Sequence, residues 1–153
     1  MRKLLLVLVM MGCFVPIVSA DAFSSWAAYG DAWKATNDTH TLVMWNATGA
    51  HTWLADGNAT EVEYLVVGAG GASSTKTGSV WSSGGGGGEV KSGTGLAVSG
   101  SVNVYVAPVT VNGGDGVVVD GLNSTFSTIV ARGGKGGSVT PPYYGGACGD
   151  ATH

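Results

Sequence analysis

Two stretches of the chain put glycine where a phosphate could be cradled. Gly68-Ala-Gly-Gly-Ala-Ser73 follows the apolar run Tyr64-Leu-Val-Val67, and Glu89 stands further along. A dinucleotide-binding turn has that order: glycines let the backbone approach a pyrophosphate, and a carboxylate about 20 residues on takes the ribose hydroxyls. Here the last glycine position holds Ser73, and no amphipathic helix follows to aim its N-terminal dipole at a phosphate. Gly70 through Lys76-Thr77 imitates a phosphate loop in the same way, with Thr75 in the second glycine position. Both are read as imitations, because the junction recurs. Val102-Asn-Val-Tyr-Val-Ala-Pro-Val-Thr-Val111 ends in Asn112-Gly-Gly114, and Thr125-Phe-Ser-Thr-Ile-Val-Ala131 ends in Arg132-Gly-Gly-Lys-Gly-Gly137. One nucleotide needs one such junction; three point to architecture.

The remaining reactive residues form no catalytic set. Cys148 has no His or acid partner nearby in sequence that would make it a nucleophile. His40 and His51 fall on adjoining predicted strands and read as a surface pair, since two histidines fall short of a metal site. Gly113-Gly-Asp-Gly116 with Asp120 is a single polar turn, without the repeat that calcium-binding β-rolls need. Glu61 and Glu63 share a face at a strand end, where solvation accounts for them. There is no Gly-x-Ser-x-Gly elbow. The reading is therefore of no enzyme, no cofactor and no metal.

Binding and modification residues are more numerous. Asn37, Asn46, Asn58 and Asn123 each open an Asn-x-Thr or Asn-x-Ser/Thr sequon, which makes them candidate glycosylation sites in a glycoprotein. Trp81 lies among Ser and Gly, where an exposed indole would stack on a sugar; the competing reading tucks it back onto the sheet.

Those residues are carried by strands. Thr41-Leu-Val-Met-Trp45 and His51-Thr-Trp-Leu54 read as a hairpin around Asn46-Ala-Thr-Gly-Ala50. Glu61-Val-Glu-Tyr-Leu-Val-Val67 alternates and then turns wholly apolar, from a wet end into the core. Further strands are read at 91–98, 102–111, 117–119 and 126–130. The β-branched content, without a capped amphipathic helix, predicts an all-β sandwich or jelly roll with long glycine-rich connections. For the glycine runs two readings stay open. Residues 84–88 are five consecutive glycines, which would lose much entropy on ordering and so suit a flexible loop. The alternative is a polyproline-II-like helix, several of which could pack and bond through their backbones.

The N-terminus reads as a processing signal. Arg2 and Lys3 precede an apolar run over 4–18, and Val18-Ser-Ala20 offers small residues for cleavage after Ala20. The run is shorter than the roughly 20 residues a membrane span needs, so no stable span is expected after cleavage. The organisation is then residues 1–20 signal peptide, 21–38 a leader segment with Phe23, Trp26, Tyr29 and Trp33, and 39–153 a glycine-rich β domain. The leader's aromatic spacing is compatible with a short helix that Gly30 weakens. Loss of Arg2 and Lys3 leaves five basic residues against ten acidic ones, a net of −5. No basic patch survives, which excludes nucleic acid as a partner. Charged residues are 11% of the chain, against about 25% in ordinary domains. Such a surface of Gly, Ser, Thr and Asn suits an extracellular protein. There Cys148, left alone once Cys13 departs, is expected to pair between chains or with a partner beyond His153.

Taken together, Glu63-Tyr-Leu-Val-Val67 with its glycines, residues 84–88 with Glu89-Val90, and the strand around Tyr105 resemble the glycine-rich domain of phage and algal-virus tail or surface proteins. Gly121-Leu-Asn-Ser-Thr-Phe126 and Ala131-Arg-Gly-Gly-Lys-Gly-Gly137 belong to the same pattern. The resemblance covers residues 52–146. A more distant likeness is to the extracellular glycine-rich domain of the anaplastic lymphoma kinase receptor, a jelly-roll-like sandwich carrying packed polyglycine helices. The resemblance implies a secreted or virion-surface module for adhesion or assembly. Its partners would be a host-surface glycan or protein, or other copies of itself. A carbohydrate-binding module is the first alternative, and an exported enzyme, disfavoured because no acid, base and nucleophile stand together, is the second. Two departures stand out: Val109-Thr-Val-Asn112 replaces glycines, and the family's closing Ile/Val-rich strand is missing, so a domain incomplete at its C-terminus, with an unpaired sheet edge, is expected.

Overall fold

The computed structural model describes residues 3–7, 27–37, 40–55, 59–75, 82–111, 114–140 and 144–149, with 3–7 and 82 described by their backbone. Among them there is no helix, and the fold is an all-β sandwich. Its strands are β1 Lys3–Val7, β2 Ala27–Tyr29, β3 Ala32–Thr36, β4 His40–Met44, β5 Gly49–Leu54 and β6 Glu61–Val67. They continue with β7 Ser74–Thr75, β8 Ser82–Ser83, β9 Val90–Ala97, β10 Ser101–Val106, β11 Ser124–Phe126 and β12 Ile129–Ala131. One sheet has the order β2-β3-β4-β1-β6-β9 and the other β12-β11-β10-β5; β7 and β8 form a separate small ribbon.

The core lies between the two larger sheets. Val43, Trp45, Val62 and Val66 enter it from one side, and Trp53, Val102, Val104, Val106 and Phe126 from the other. The alternation of Val102, Val104 and Val106 expected from the sequence is seen: all three are buried, while Ser101 and Asn103 are exposed. Trp53 sits at the centre, edge-on to Trp45 at 6.4 Å between ring centroids and 6.2 Å from Phe126. Aromatic rings prefer such tilted contacts to face-to-face stacking.

The strand expected at 102–111 ends at Val106, and three further expected elements differ. The hairpin over 41–54 does not form: β4 belongs to one sheet, and β5 pairs with β10 in the other. Trp45 and Trp53 are the cause, since two large apolar rings meet best when each enters the shared core from its own sheet. The chain crosses over through Gly49, whose φ of 116° a side chain would rarely adopt. The strand expected at 126–130 is two short strands, β11 and β12, about a turn at Ser127 with φ 54°. The reversal lets Phe126 and Ala131 both bury completely. Residues 117–119 form no strand; Val117 and Val118 are exposed, and the Val119 carbonyl accepts the Ala72 N–H.

The predicted leader contains a hairpin. β2 and β3 pair at the sheet edge around Gly30, φ 61°. Tyr29 packs on the core with the Lys34 ammonium 4.5 Å above its ring, and Trp33 is 41% exposed. Phe23 and Trp26 lie outside the described residues. Lys3–Val7, from the predicted signal, forms β1 between β4 and β6, parallel to both. The rest of that signal, apart from this strand, lies outside the described residues.

Four strands lead into glycine at one end of the sandwich. β6 runs into residues 68–72, and residues 84–89 run into β9. Residues 119–123 run into β11, and β12 runs into 132–138. Val67 pairs with Val90 and Ser124 with Ala131, so these passages leave the two sheets as adjacent pairs.

Candidate functional site

Beyond the sandwich end the four passages and a fifth, residues 144–149, form a bundle joined by backbone hydrogen bonds. The bonds recur every third residue. Gly68 and Gly71 donate to the carbonyls of Glu89 and Gly86 at 2.9 and 2.8 Å; Ala69 and Ala72 donate to Leu122 and Val119 at 3.1 and 2.9 Å. Gly86 and Glu89 donate to Lys135 and Arg132, both at 2.8 Å; Gly134 and Gly137 donate to Ala69 and Ala72. Gly146 and Gly149 donate to Gly84 and Gly87. A spacing of three is the turn of a polyproline-II helix, which has no internal bonds and must find partners in neighbouring helices. Of the two readings of the glycine runs, the packed one is present.

Glycine is required here for its missing side chain. None of the glycines in the bonded segments has positive φ. A Cβ at Gly68, Gly71, Gly85, Gly88, Gly133 or Gly146 would come within 3.0 Å of a neighbouring carbonyl. Gly84 and Gly87 face open space, and Gly70 and Gly145 meet a neighbour only at 3.5 and 3.7 Å. Two positions in three thus point inward and the third outward. Arg132, Lys135 and Cys148 occupy outward positions and are exposed. Packed sheets normally stand about 10 Å apart to hold their side chains. With those gone, the two layers close until their backbones bond directly.

Polar side chains fasten the bundle's margins. The Asp120 carboxylate accepts from Lys135 Nζ at 2.7 Å and from the Gly136 N–H at 2.8 Å. The Lys135 hydrogen bond, then the Gly136 amide, hold its carboxyl below the usual range. Glu89 accepts from the Arg132 N–H at 2.8 Å, with Lys91 Nζ at 3.4 Å. That backbone bond lowers its carboxyl against partial desolvation, and Lys91 assists. Ser74 and Ser83 are buried, 2.9 Å apart, and both reach the Ser138 carbonyl.

Lys76 and Thr77 of the second phosphate-loop imitation lie outside the described residues, while the glycine turn that opens both belongs to the bundle. A phosphate would need free amides, yet those of Gly68, Ala69, Gly71 and Ala72 all donate within the bundle. His40 and His51 do not face each other across a hairpin, because β4 and β5 lie in different sheets. The His51 ring nitrogens instead meet the Asp31 carboxylate and, at 2.7 Å, the Ala47 carbonyl. Asn46 is exposed with Thr48 in the loop between sheets. Asn37 accepts the His40 N–H at 2.6 Å and Asn123 the Gly133 N–H at 3.0 Å. Asn58 and Trp81 lie outside the described residues. Cys148 is free and exposed. At the far end of the sandwich, Ser99, Ser101, Asn103 and Ser127 line an open cleft of about 350 Å³, which sequence reasoning missed because its residues are ordinary turn residues. Among the described residues no cluster of His, Cys, Asp and Glu fits a metal ion, and no helix is long and apolar enough to cross a membrane.

A sandwich that ends in a bonded glycine bundle defines an all-β glycine-rich module. The model of the glycine-rich domain family matches residues 46–153, and the chain belongs to that family. No curated protein and no solved structure matches it.

Proposed function

We propose that the protein is a secreted or virion-surface structural module that mediates surface attachment or assembly, without catalysis. One observation carries the reading: backbone bonds repeated every third residue tie the bundle's segments to one another and make it a rigid platform, with every third position turned to solvent. The likeness to phage and algal-virus surface domains, and to the receptor's glycine-rich domain, is supported by a bundle of this kind seated on a sandwich. Cys148 fits the same role as an interchain link, because Ala147 and Gly149 on either side of it are bonded to Lys135 and Gly87.

The test is binding and assembly of the exported protein. Retention on host cells or on a defined glycan, or concentration-dependent oligomers by light scattering, is the expected result. A protein that stays monomeric and is retained on neither refutes the proposal. Carbohydrate binding is the second reading, favoured by the hydroxyl- and amide-lined cleft at Asn103. It expects a glycan-array hit lost in Asn103→Ala or Trp81→Ala.

A further inference from the structure

We propose that Asn46 is a modification site: during export its side-chain amide takes an N-linked oligosaccharide, which the fold then holds at the root of the bundle. This goes beyond the attachment reading but rests on its export step.

The sequence carries more acceptor triplets than chance supplies. Asparagine stands at 37, 46, 58, 103, 112 and 123, and at Asn37, Asn46, Asn58 and Asn123 a threonine follows two residues on. Serine and threonine fill fewer than one position in five, so chance placement gives about one such triplet. The modification is a group transfer. The asparagine amide nitrogen displaces a lipid diphosphate from the anomeric carbon of an activated oligosaccharide. A C–N bond forms as the C–O bond to the diphosphate breaks, and the amide gives up one proton. The amide and the hydroxyl at the third position must reach the transferase together, so the triplet has to lie open in a surface loop.

The structure sorts the triplets on that requirement. β4 and β6 are both parallel to β1, so β4 ends where β6 does, at the bundle. β5 begins at the same end, with Gly49 opposite Val106 and Tyr105 opposite Thr125. Residues 45–48 cross from sheet to sheet there. Trp45 is buried and anchors the loop in the core, and His51 Nε2 donates to the Ala47 carbonyl at 2.7 Å. Held at these two points, the loop leaves Asn46, Ala47 and Thr48 all exposed. Among the described residues neither the Asn46 amide nor the Thr48 hydroxyl has a hydrogen-bond partner.

The other triplets differ. The Asn123 side-chain carbonyl accepts the Gly133 N–H, and the buried Ser124 hydroxyl accepts the Ala107 N–H. Thr125 pairs with Tyr105 on one side and Val130 on the other, so folding closes that triplet into β11. The Asn37 side-chain carbonyl accepts the His40 N–H at 2.6 Å across a turn that the Asn37 N–H closes from the other side. Thr39 and Asn58 lie outside the described residues. Of the triplets described in full, Asn46-Ala-Thr48 is the one a transferase can still reach once the strands have paired. A glycan there also supplies what the surface lacks. Charged residues are 11% of the chain, and a bulky polar oligosaccharide keeps such a surface hydrated.

The test is the full chain, with its own N-terminus, made in eukaryotic secretory cells. Intact mass is read before and after peptide N-glycosidase, and peptide mapping locates each asparagine that the enzyme converts to aspartate. Most copies are expected to carry a glycan at Asn46, whose mass the glycosidase removes. Asn46→Gln and Thr48→Ala abolish that modification, Thr48→Ser keeps it, and Asn123→Gln leaves it unchanged. Tryptophan fluorescence checks that each variant is folded. Secreted chain with Asn46 unmodified overturns the proposal, and so does a modification at Asn46 that survives Thr48→Ala. Higher occupancy at Asn123 than at Asn46 overturns it as well, because strand pairing would then not decide access. Export is judged separately. A chain kept inside the cells but modified at Asn46 upholds the site and removes the secreted reading, whereas one kept inside and unmodified removes both.

Discussion

At Gly88 a single methyl group would collide with the Gly68 carbonyl, whereas at Gly87 it would meet nothing within 4 Å. The obstacle at Gly88 is backbone, held by its own bonds, and cannot swing aside. Gly88→Ala is therefore expected to destabilise by about 1–3 kcal/mol, as overpacking does. Gly87→Ala, at a site without positive φ, is expected to be neutral or to stabilise by up to about 1 kcal/mol through the unfolded chain. Urea midpoints of the two variants check this, and equal losses would sink the inward–outward assignment. The carboxylates make a second residue-scale prediction. Asp120 and Glu89 have folded pKa values below their ordinary 3.8 and 4.5. The unfolded chain then binds protons more readily, so their contribution is whole above those ordinary values. It is lost as pH falls through the lowered ones. Thermal midpoints should drop on acidification below about pH 4. Asp120→Asn should lower the neutral-pH midpoint and flatten the acid limb; an unchanged limb in that variant and in Glu89→Gln would remove these groups from the account.

At the scale of elements, the bundle predicts a periodic exchange pattern. The amides of Gly68, Gly71, Gly86 and Glu89 have acceptors on neighbouring segments, while among the described residues there is none for Gly70 and Gly87. Amide exchange resolved by residue should alternate accordingly, slow at the first set and fast at the second; uniform fast exchange over 84–89 would mean a loop. The period was visible in part of the sequence. Arg132-Gly-Gly-Lys-Gly-Gly-Ser138 places a side chain at every third residue, which is the outward phase of a three-residue helix. Residues 84–88 hide that phase because every position is glycine, and 68–72 hide it because Ala69 and Ala72 fit inward. The strands of the core were legible because Val102, Val104 and Val106 alternate with polar neighbours. The β4–β5 hairpin was misread because turn signals are local, while the partner of β5 lies 49 residues away in sequence, where Trp53 pairs with Val102 in the β10 ladder. Residues 117–119 read as a strand from their β-branched side chains, but a bundle segment accepts the same residues wherever their faces point to solvent.

For the whole molecule, the sandwich and the bundle should unfold as one unit. Each of β6, β9, β11 and β12 continues into a bundle segment, so the register of one half fixes the alignment of the other. Bundle bonds that cross between layers, such as Gly134 to Ala69 and Glu89 to Arg132, depend on the sheets being held at the right separation. That separation is set in the core by Trp45, Trp53 and Phe126. Phe126→Ala empties a site that is fully buried and is expected to cost about 3–5 kcal/mol. Its consequence should reach the glycines: amide protection at Gly86 and Gly134 should fall in step with the loss of tryptophan burial. Fluorescence reads the core and hydrogen exchange reads the bundle, so the two probes are independent. Coincident urea transitions in the parent protein, and an equal shift of both in Phe126→Ala, follow from a shared fold. A bundle that lost protection well before the tryptophans became exposed would be a separate element resting on the sandwich. The bundle would then open while the core stayed closed, and its rigidity would not derive from the sandwich beneath it.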